Sequence, residues 1–310
     1  MQDYKRKIAV ITPFAHLHLN SLVESKGEVF YLENGTKNEV KNLINSNLVD
    51  TIICNPNKQT YRIDKDLLDG TKVNLINTCS TGLSHIDLDY CKENNIEIYS
   101  LTKDYELIND LPSTSELAFG LMLNILRNIS NSQEHVLNYG WDYTLFMGRQ
   151  IKDLNIGIIG YGRLGKLMYK YCKAFEANVS VYDPYIEGFD NTKLDEFVEH
   201  CDVISLHVHL NDETKYMINK SSLIKAKSNL VIINTSRGAV VNEDHIIDLI
   251  ENKKIGGYGT DVIENENDDI KKSLLINKMR TNNKILITPH LGGMTIEGQT
   301  KAYTWAINKL

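Results

Sequence analysis

Four residues that can carry charge or move a proton lie at the ends of apolar segments in the C-terminal half of the chain. They are Arg237 after NLVIIN, Asp261 near the end of GGYGTDV, Glu266 five residues further on, and His290 after KILITP. An imidazole can exchange a proton near neutral pH, a carboxylate can fix its tautomer, and a guanidinium can hold a carboxylate in a forked pair. Open parallel sheets bind ligands at the carboxyl ends of their strands. Taken singly, each residue also fits a surface or loop role, but together they predict a candidate active site.

The segment GIIGYGRLGK has the glycine spacing GxGxxG at residues 160, 162 and 165. Alone this spacing is a weak signal, because glycines punctuate many loops, but here it follows an apolar strand and opens a helical pattern. The first glycine permits a tight turn, the second lets a pyrophosphate approach the backbone, and the third lets the helix pack against the sheet. Amides at the helix N-terminus then face the phosphates, so the segment predicts a dinucleotide site.

The acidic residue expected in such a site is Asp183, which lies 23 residues after Gly160 at the end of the next predicted strand. Its carboxylate would accept hydrogen bonds from the adenosine ribose. The next basic residue is Lys193, so a 2′-phosphate would meet this carboxylate with no cation nearby in the sequence to offset it. We therefore predict NAD rather than NADP. The alternative role for Asp183 is an ordinary turn aspartate before Pro184.

Alternating apolar and helical segments must position these residues. In the second half of the chain, six strands are predicted near 155–160, 178–183, 202–208, 229–234, 256–262 and 284–289, with helices that include 165–175 and 242–253. Six is the strand count of a complete Rossmann sheet. In the first half, the predicted elements are strands near 7–14, 49–55, 72–82 and 96–101 and a short helix at 86–95. This pattern indicates a second parallel sheet covered by helices.

A long helix over 112–139 is predicted to separate the two α/β regions. Ser113 and Glu116 have the spacing of a capping box, and apolar residues recur every four positions from Leu117 to Ile129. We place a domain boundary at this helix.

Composition restricts the partners of the 310-residue chain. It has 34 basic and 40 acidic residues, a net charge of −6 and no basic patch, so we expect no nucleic-acid partner. The longest apolar stretch, 117–126, is too short to cross a bilayer, and the N-terminus lacks the apolar segment of a signal peptide, which predicts a cytoplasmic protein. Five scattered cysteines without a CxxC pair argue against a disulfide framework and against a metal site.

Together, these motifs resemble the D-isomer-specific 2-hydroxyacid dehydrogenase family, which includes phosphoglycerate dehydrogenases. The resemblance is carried by GIIGYGRLGK, VYDPY, NTSRGAVVNEDHII, GTDVIENE and TPHLGGMT, and it runs in order from about residue 72 to residue 298. STGLSHIDLDYCKENNIEI is similar to the family's substrate-loop region, and STSELAFGLMLNILR to its interdomain helix.

The resemblance implies two doubly wound parallel-sheet domains. A Rossmann NAD-binding domain (112–289) would be inserted in a flavodoxin-like substrate domain (1–111 and 290–310), with the active site in the cleft. It also implies a homodimer formed through the region 112–150, including Trp141.

The predicted cofactor site joins the glycine loop to the ends of the later strands, and the resemblance assigns Asp261 to the nicotinamide carboxamide. Its predicted members are Gly160, Tyr161, Gly162, Arg163, Leu164, Gly165, Asp183, His207, Thr235, Ser236, Asp261, Gly292 and Gly293.

The hypothesis for the reaction is hydride transfer between the nicotinamide and C2 of a small 2-hydroxy acid or 2-keto acid. His290 would exchange the hydroxyl proton, and Glu266 would fix its tautomer. Arg237 would hold the substrate carboxylate and polarise the carbonyl. The remaining carboxylate oxygen would be bound by the backbone amides of Ser80, Thr81 and Gly82.

The setting of His290 fits this role. Pro289 has no amide hydrogen and therefore suits the end of an edge strand, where it would direct the histidine towards the ligand. Gly292 and Gly293 would let the backbone pass close to the nicotinamide.

Two positions depart from the family pattern. The proline that usually follows the acidic pair near Glu266 is missing, and His209 stands where a proline is common, so the substrate or nicotinamide edge is predicted to differ there. The residues Lys103, Tyr105 and His85 are candidates for selecting the substrate, with surface or core roles equally open.

Two other functions use the same scaffold. Phosphite dehydrogenases and NAD-sensing transcriptional corepressors both remain alternatives to a hydroxyacid dehydrogenase. Turnover of a panel of 2-keto acids, compared with NAD consumption in the presence of phosphite, distinguishes the three.

Overall fold

A computed structural model of the chain describes residues 5–56, 61–189, 193–266 and 269–310. The chain divides into two compact units. The first unit comprises Met1–Leu111 and Gly293–Leu310, and the second comprises Pro112–Gly292. The C-terminal segment therefore belongs to the same unit as the N-terminal region, and the second boundary falls between two adjacent glycines rather than after Pro289.

Eleven strands form two sheets in the described residues, and all strand pairs are parallel. The strands are β1 Arg6–Val10, β2 Gly27–Tyr31, β3 Thr51–Cys54, β4 Leu75–Thr78, β5 Glu97–Ser100, β6 Asn155–Ile159, β7 Asn178–Tyr182, β8 Val203–Leu206, β9 Val231–Asn234, β10 Gly257–Thr260 and β11 Ile285–Ile287.

Twelve α-helices accompany these strands in the same ranges. They are α1 Asn20–Glu24, α2 Lys37–Asn47, α3 Lys65–Leu68, α4 Leu88–Glu93, α5 Tyr105–Asn109, α6 Ser113–Arg127, α7 Ile129–Leu137, α8 Arg163–Ala174, α9 Leu194–Glu199, α10 Glu243–Glu251, α11 Leu274–Met279 and α12 Ile296–Asn308. In the parts of the chain that are described, every helix is too short or too polar to span a bilayer.

The first unit is a five-stranded sheet in the order β2-β1-β3-β4-β5, which is the flavodoxin-like order predicted for it. Neighbouring residues of a strand point to opposite faces. Accordingly, Ile8 and Val10 pack with the C-terminal helix α12, whereas Ala9 packs with α2 and α3. Both faces of the sheet are therefore covered.

The sequence analysis missed β2. Its residues GEVFY mix a glycine, a glutamate and partly exposed apolar side chains, because this strand pairs only with β1 at the sheet edge. This strand lacks the continuous apolar run that revealed the central strands.

The second unit is a six-stranded sheet in the order β11-β10-β9-β8-β6-β7. The predicted six parallel strands are confirmed, and helices cover both faces. Residues of α6 and α8 pack on one face, and residues of α9, α10 and α11 on the other.

The strand order of this sheet differs from the usual Rossmann order, in which a third strand lies outside the second. Here β7 is the edge strand. Between β7 and β8 the described residues contain the short helix α9 and no strand that could pair outside β7. The sixth strand is instead β11, at the opposite edge, where Pro289 follows it.

The predicted long helix over 112–139 is wrong in two respects. The helix is interrupted at Asn128, which has a left-handed φ of +53° and separates α6 from α7. Asparagine tolerates this conformation better than most residues. The predicted capping box is also absent, because the amides of Ser115 and Glu116 already bond to the Pro112 carbonyl and Ser113 is the first helical residue.

Candidate active site

The carboxyl ends of the six strands in the second unit form one register row. Across the sheet, the paired residues are Tyr182, Ile159, Leu206, Asn234, Thr260 and Ile287. The residues that follow this row are Asp183, Gly160, His207, Thr235, Asp261 and Thr288. The predicted cofactor residues and the turns that lead to Arg237 and His290 thus lie along one edge of one sheet.

The glycine loop crosses this edge between β6 and α8. Gly160 has a φ of +88°, and a Cβ built on it would lie 2.6 Å from the His207 carbonyl oxygen. A Cβ on Gly165 would lie 2.0 Å from the Gly160 carbonyl oxygen, whereas a Cβ on Gly162 would meet nothing within 4 Å. The first and third glycines are therefore required by the protein itself. The space beside Gly162 is open to a ligand.

The helix that follows this loop suits an anion. Gly162 is the N-cap residue of the 12-residue helix α8, and no side chain caps its first turn. Backbone amides at such an end bind phosphate and benefit from the helix dipole. Leu164 is held through its carbonyl, which accepts a 2.9 Å hydrogen bond from the Ser115 hydroxyl of α6. Burial lowers the pKa of Arg163 at the start of the helix.

Asp183 ties the end of β7 to the glycine loop. One carboxylate oxygen accepts the Tyr161 amide at 2.8 Å, and the other accepts the Tyr185 amide at 3.1 Å. The carboxylate is partly exposed and retains acceptor capacity for a ligand hydroxyl. Asp183 is thus more than a turn residue before Pro184, because it also fixes the loop between the first two glycines.

Two polar atoms on this edge are buried without a partner in the described structure. They are Nδ1 of His207 and the hydroxyl oxygen of Thr235. The other ring nitrogen of His207 shares a 2.9 Å hydrogen bond with Ser205, and burial lowers the pKa of His207 to about 4, so the ring is neutral. Buried polar groups are nearly always satisfied, so these two atoms suit a ligand group. The neighbouring Ser236 hydroxyl, in contrast, donates to the Leu206 carbonyl at 2.7 Å.

Asp261 holds the segment that follows β11. Its Oδ1 accepts the Thr288 hydroxyl at 2.5 Å and the Leu291 amide at 2.7 Å, and its Oδ2 accepts the Gly292 amide at 2.7 Å. The side chain is buried, and this burial raises its pKa, although the three donors act in the opposite direction. Asp261 therefore organises the turn that carries His290, a role that the sequence analysis did not foresee.

His290 lies within this turn and faces Glu266. Its φ is +55°, a left-handed value that is uncommon outside glycine, and its amide bonds to the Asp261 and Thr288 carbonyls at 3.0 Å each. Its Nδ1 lies 3.0 and 3.1 Å from the two carboxylate oxygens of Glu266. Both side chains are about one-third exposed, at 31% and 32%. The bidentate contact places the proton of the neutral imidazole on Nδ1 and leaves Nε2 for a substrate.

Arg237 lies after β9, next to Gly238. One guanidinium nitrogen donates to the Ser236 carbonyl at 2.7 Å, and the Arg237 carbonyl accepts the Asn234 side-chain amide at 3.0 Å. The residue is partly buried, and its other donors bond to no acceptor in the described ranges, so they are available to an anion. The backbone of Arg237 is thus fixed by the strand end, whereas the head group can form a forked pair.

A carboxylate network that the sequence analysis missed supports the loops of Arg237 and Glu266. Oε1 of Glu243 accepts the Glu264 amide at 2.7 Å, and the Glu264 carboxylate accepts the Tyr216 hydroxyl. A Cβ on Gly238 would lie 2.2 Å from the Glu264 nitrogen, so the two loops pack backbone against backbone. Burial and the nearby charge of Glu264 raise the pKa of Glu243 to about 7. A glutamate at a helix start gives no sequence signal for this role.

The predicted substrate loop lies in the first unit, after β4. The carbonyl oxygens of Ser80, Thr81 and Gly82 accept, in turn, the Leu101 amide at 3.1 Å, the Thr102 hydroxyl at 3.1 Å and the Ser80 hydroxyl at 2.8 Å. Of the three candidates for substrate selection, His85 is buried beneath this loop, whereas Lys103 and Tyr105 are exposed.

The two departures from the family pattern have different outcomes. His209 is exposed, and its carbonyl accepts the Thr214 hydroxyl at 2.5 Å. Asn267, which follows Glu266 in place of the usual proline, lies outside the described residues.

Comparison with known proteins identifies the family. Residues 119–292 match the family model described as D-isomer-specific 2-hydroxyacid dehydrogenase, NAD-binding domain, and residues 8–106 match the catalytic domain of the same family. The chain belongs to the D-isomer-specific 2-hydroxyacid dehydrogenase family. Its second unit is the NAD-binding domain, and the family members are NAD-dependent oxidoreductases.

Individual relatives agree with this assignment. The chain is 28% identical to the hydroxypyruvate reductase of Thermotoga maritima, over 84% of each chain. It is 29% identical to the D-3-phosphoglycerate dehydrogenase of Methanocaldococcus jannaschii, over 96% of this chain but only 55% of that protein, so it spans about half of that relative. A solved structure of the D-lactate dehydrogenase from Aquifex aeolicus, complexed with NAD and lactic acid, superposes with a TM-score of 0.78 at 26% identity and covers 98% of this chain and 94% of that one.

The residues of the dehydrogenase's NAD-binding edge fit this cofactor. Among the described residues, Gly162 leaves open space where a side chain would otherwise stand, no side chain caps the first turn of α8, and two buried polar atoms have no partner. Asp183, at the end of β7, adds a partly exposed carboxylate to this edge.

Proposed function

We propose that the chain transfers a hydride between NAD and C2 of a D-2-hydroxy acid or 2-keto acid, with His290 as the acid–base group. The observation that supports this most strongly is the bidentate contact between His290 and Glu266, at 3.0 and 3.1 Å, next to the NAD-binding edge. A histidine oriented by a carboxylate is the arrangement that proton exchange with a hydroxyl requires.

The proton moves through Nε2 of His290. When bound, NAD accepts or supplies the hydride. Glu266 faces Nδ1, so Nε2 is the ring nitrogen that takes the hydroxyl proton during oxidation and returns it to the keto oxygen during reduction. The Glu266 carboxylate stabilises the imidazolium in its productive orientation.

Arg237 binds the substrate carboxylate. Its free donors form a planar fork that matches a carboxylate, and they polarise the adjacent carbonyl. The hydrogen bond from its guanidinium to the Ser236 carbonyl restricts the rotamers of the side chain. In the first unit, the backbone amides of Ser80, Thr81 and Gly82 bind the remaining carboxylate oxygen.

Asp261 holds His290 in position for the reaction. Its carboxylate keeps the His290 turn in place through Thr288, Leu291 and Gly292. Its remaining acceptor capacity is available to the nicotinamide carboxamide.

Steady-state reduction of a panel of 2-keto acids by His290→Ala tests the proposal. Loss of a general acid–base group costs about a hundredfold or more in turnover, while NADH binding should be retained because the glycine loop is unchanged. His200→Ala is the matched control, since His200 is an exposed histidine in the same unit. Equal turnover in His290→Ala and wild type would refute the role of His290. Turnover of phosphite alone would refute the substrate class.

We also propose that the enzyme is a homodimer that pairs through the region 112–150, and in particular through its segment 136–147. This segment exposes a cluster of large apolar side chains, with Tyr139 at 100%, Trp141 at 86%, Tyr143 at 87% and Met147 at 86% exposure. Contiguous apolar surface of this kind marks an interaction site. Sedimentation equilibrium should give twice the chain mass for the wild type and a single chain mass for Trp141→Glu. A monomeric wild type would contradict the dimer.

A further inference from the structure

A chain of buried polar groups lies beneath the predicted substrate loop of the first unit. The Ser80 hydroxyl donates to the Gly82 carbonyl at 2.8 Å, Oγ1 of Thr78 lies 2.9 Å from the Ser80 hydroxyl, and Nε2 of His85 lies 3.0 Å from Oγ1 of Thr78. Thr78 is fully buried and His85 is 5% exposed. Three consecutive hydrogen bonds therefore connect the loop to His85, and the two residues furthest from the loop, Thr78 and His85, are shielded from solvent.

Proton counting fixes the direction of these bonds. A carbonyl can only accept, so the single hydroxyl proton of Ser80 is used on Gly82. Ser80 must then accept from Thr78, which uses the only hydroxyl proton of Thr78. The remaining contact is a hydrogen bond only if Nε2 of His85 is the donor.

His85 must therefore be the Nε2–H tautomer with an unprotonated Nδ1. That Nδ1 atom is buried and has no partner in the described structure, so no hydrogen bond requires a proton there. Burial lowers the pKa of His85 to about 4, which keeps the ring neutral. The Cys54 thiol also contacts Nε2 at 3.7 Å, and burial raises its pKa to about 12, so no thiolate competes for the ring proton.

The carbonyls of the loop determine where its amides point. All three carbonyls, from Ser80 to Gly82, are bound by donors of the first unit. No cis peptide occurs in the described residues, and in a trans peptide the N–H points opposite to the carbonyl. The amides of Thr81, Gly82 and Leu83 consequently point away from these donors, and they find no acceptor in the described part of the chain. Together with the Ser80 amide, which also bonds to no acceptor there, these amides are available to an anion, and this anion-binding set extends the predicted amides of residues 80–82 by Leu83.

We propose that His85 is a positioning residue for this anion-binding set. Its Nε2–H sets the direction of the hydrogen-bond chain through Thr78 and Ser80, and the chain in turn fixes the Gly82–Leu83 peptide with its amide presented to the substrate carboxylate. The inference rests on the proposed function, in which this loop binds a 2-keto acid. It assigns to a buried histidine an effect on substrate affinity rather than on proton transfer.

The kinetic test compares His85→Leu with His85→Gln. The leucine removes the donor, so we expect the KM for a 2-keto acid to rise about tenfold or more, the cost of one charge-assisted hydrogen bond. The kcat and the affinity for NADH should stay within about twofold of wild type. The glutamine amide can donate from nearly the same place as Nε2 and should restore most of the lost affinity. A uniform loss of kcat in both variants would indicate general damage and overturn the proposal.

A double-mutant cycle with Ser80 tests the proposal even if the His85 variants fold poorly. Ser80→Ala breaks the same chain at a partly exposed residue and should raise KM to a similar extent. In the double variant Ser80→Ala/His85→Leu, the second change should add little, because the chain is already broken. Additive effects would show that the two residues act independently and would overturn the proposal.

The tautomer is measured separately from activity. Long-range proton–nitrogen NMR of the ¹⁵N-histidine-labelled protein, assigned with His85→Leu, should show Nε2 protonated and Nδ1 unprotonated at pH 7. The opposite tautomer would overturn the positioning role even if the enzyme reduces 2-keto acids. If the wild type reduces no 2-keto acid, the proposed function fails and the substrate role of His85 falls with it, while the NMR result still reports the hydrogen-bond chain.

Discussion

Alanine substitutions at the two later glycines of the GxGxxG loop should have different effects. Gly162→Ala should weaken cofactor binding, and Gly165→Ala should lower the stability of the fold. Gly162→Ala places a methyl group where the structure has nothing within 4 Å, whereas Gly165→Ala places one 2.0 Å from the Gly160 carbonyl oxygen. Gly162 has a φ of −70° and a ψ of −163°, which alanine adopts without strain. The same chemical change therefore meets open space at one position and backbone at the other.

The structure sets the size of each effect. For Gly165→Ala, a methyl group forced against a backbone atom costs about 1–3 kcal/mol. In a unit that spans residues 112–292, this lowers Tm by about 2–12 °C. For Gly162→Ala, two opposing effects change the free energy of unfolding, each by less than about 1 kcal/mol. Alanine makes the unfolded chain less flexible, which raises this free energy, and it is a poorer N-cap residue than glycine, which lowers it. Its Tm should change by less than about 2 °C. Its methyl group displaces the pyrophosphate from charge-assisted bonds worth about 1.5–3 kcal/mol each, which weakens NADH binding at least about tenfold.

Thermal unfolding without cofactor and fluorescence titration with NADH measure the two effects. Gly120→Ala is the control, because Gly120 lies within α6, also with nothing within 4 Å, and should leave NADH affinity unchanged. Wild-type NADH affinity in Gly162→Ala would refute the reasoning that the open space receives the cofactor. An unchanged Tm in Gly165→Ala would refute the packing argument.

Three further substitutions probe the catalytic edge. Asp261→Asn turns one acceptor oxygen into a donor, so the turn of His290 loses a partner and kcat in steady-state assays should fall about tenfold or more. Glu243→Gln retains an acceptor for the Glu264 amide but removes a group whose pKa rises from 4.5 to about 7 on folding. Because the native state binds the extra proton between these values, wild-type stability falls as pH rises through this window, and the variant should have the higher Tm at pH 8 but not at pH 5. Arg237→Lys should raise the KM for the keto acid at least about tenfold at similar NADH affinity, because lysine cannot reproduce the planar fork.

The predictable part of this site follows from the regularity of a parallel sheet. The apolar runs that end at Ile159, Leu206 and Asn234 are buried central strands, and their ends fall in one register row. Residues that come directly after such runs must share an edge. For this reason the sequence could place Gly160 and His207 on that edge without any knowledge of side-chain contacts.

The features that the sequence did not predict depend on tertiary contacts rather than on the spacing of apolar residues along the chain. The break at Asn128 interrupts an apolar repeat that continues on both sides of it, so periodicity alone predicts one helix. The strand β2 pairs on one side only and has no continuous apolar run. The carboxylates of Glu243 and Glu264 act through a backbone amide and a tyrosine hydroxyl, and neither partner has a fixed sequence distance from them.

The turn that carries His290 shows why the role of Asp261 follows from geometry and not from sequence. A left-handed histidine costs about 1–2 kcal/mol, and such strain persists only where the surroundings over-determine it. The Asp261 side chain supplies three hydrogen bonds to the residues on either side of His290, and its backbone carbonyl supplies a fourth to the His290 amide. At about 1 kcal/mol each, these bonds outweigh the strain. The imidazole is therefore oriented towards Glu266 by the fold itself, before any substrate binds, which is the condition for efficient proton transfer.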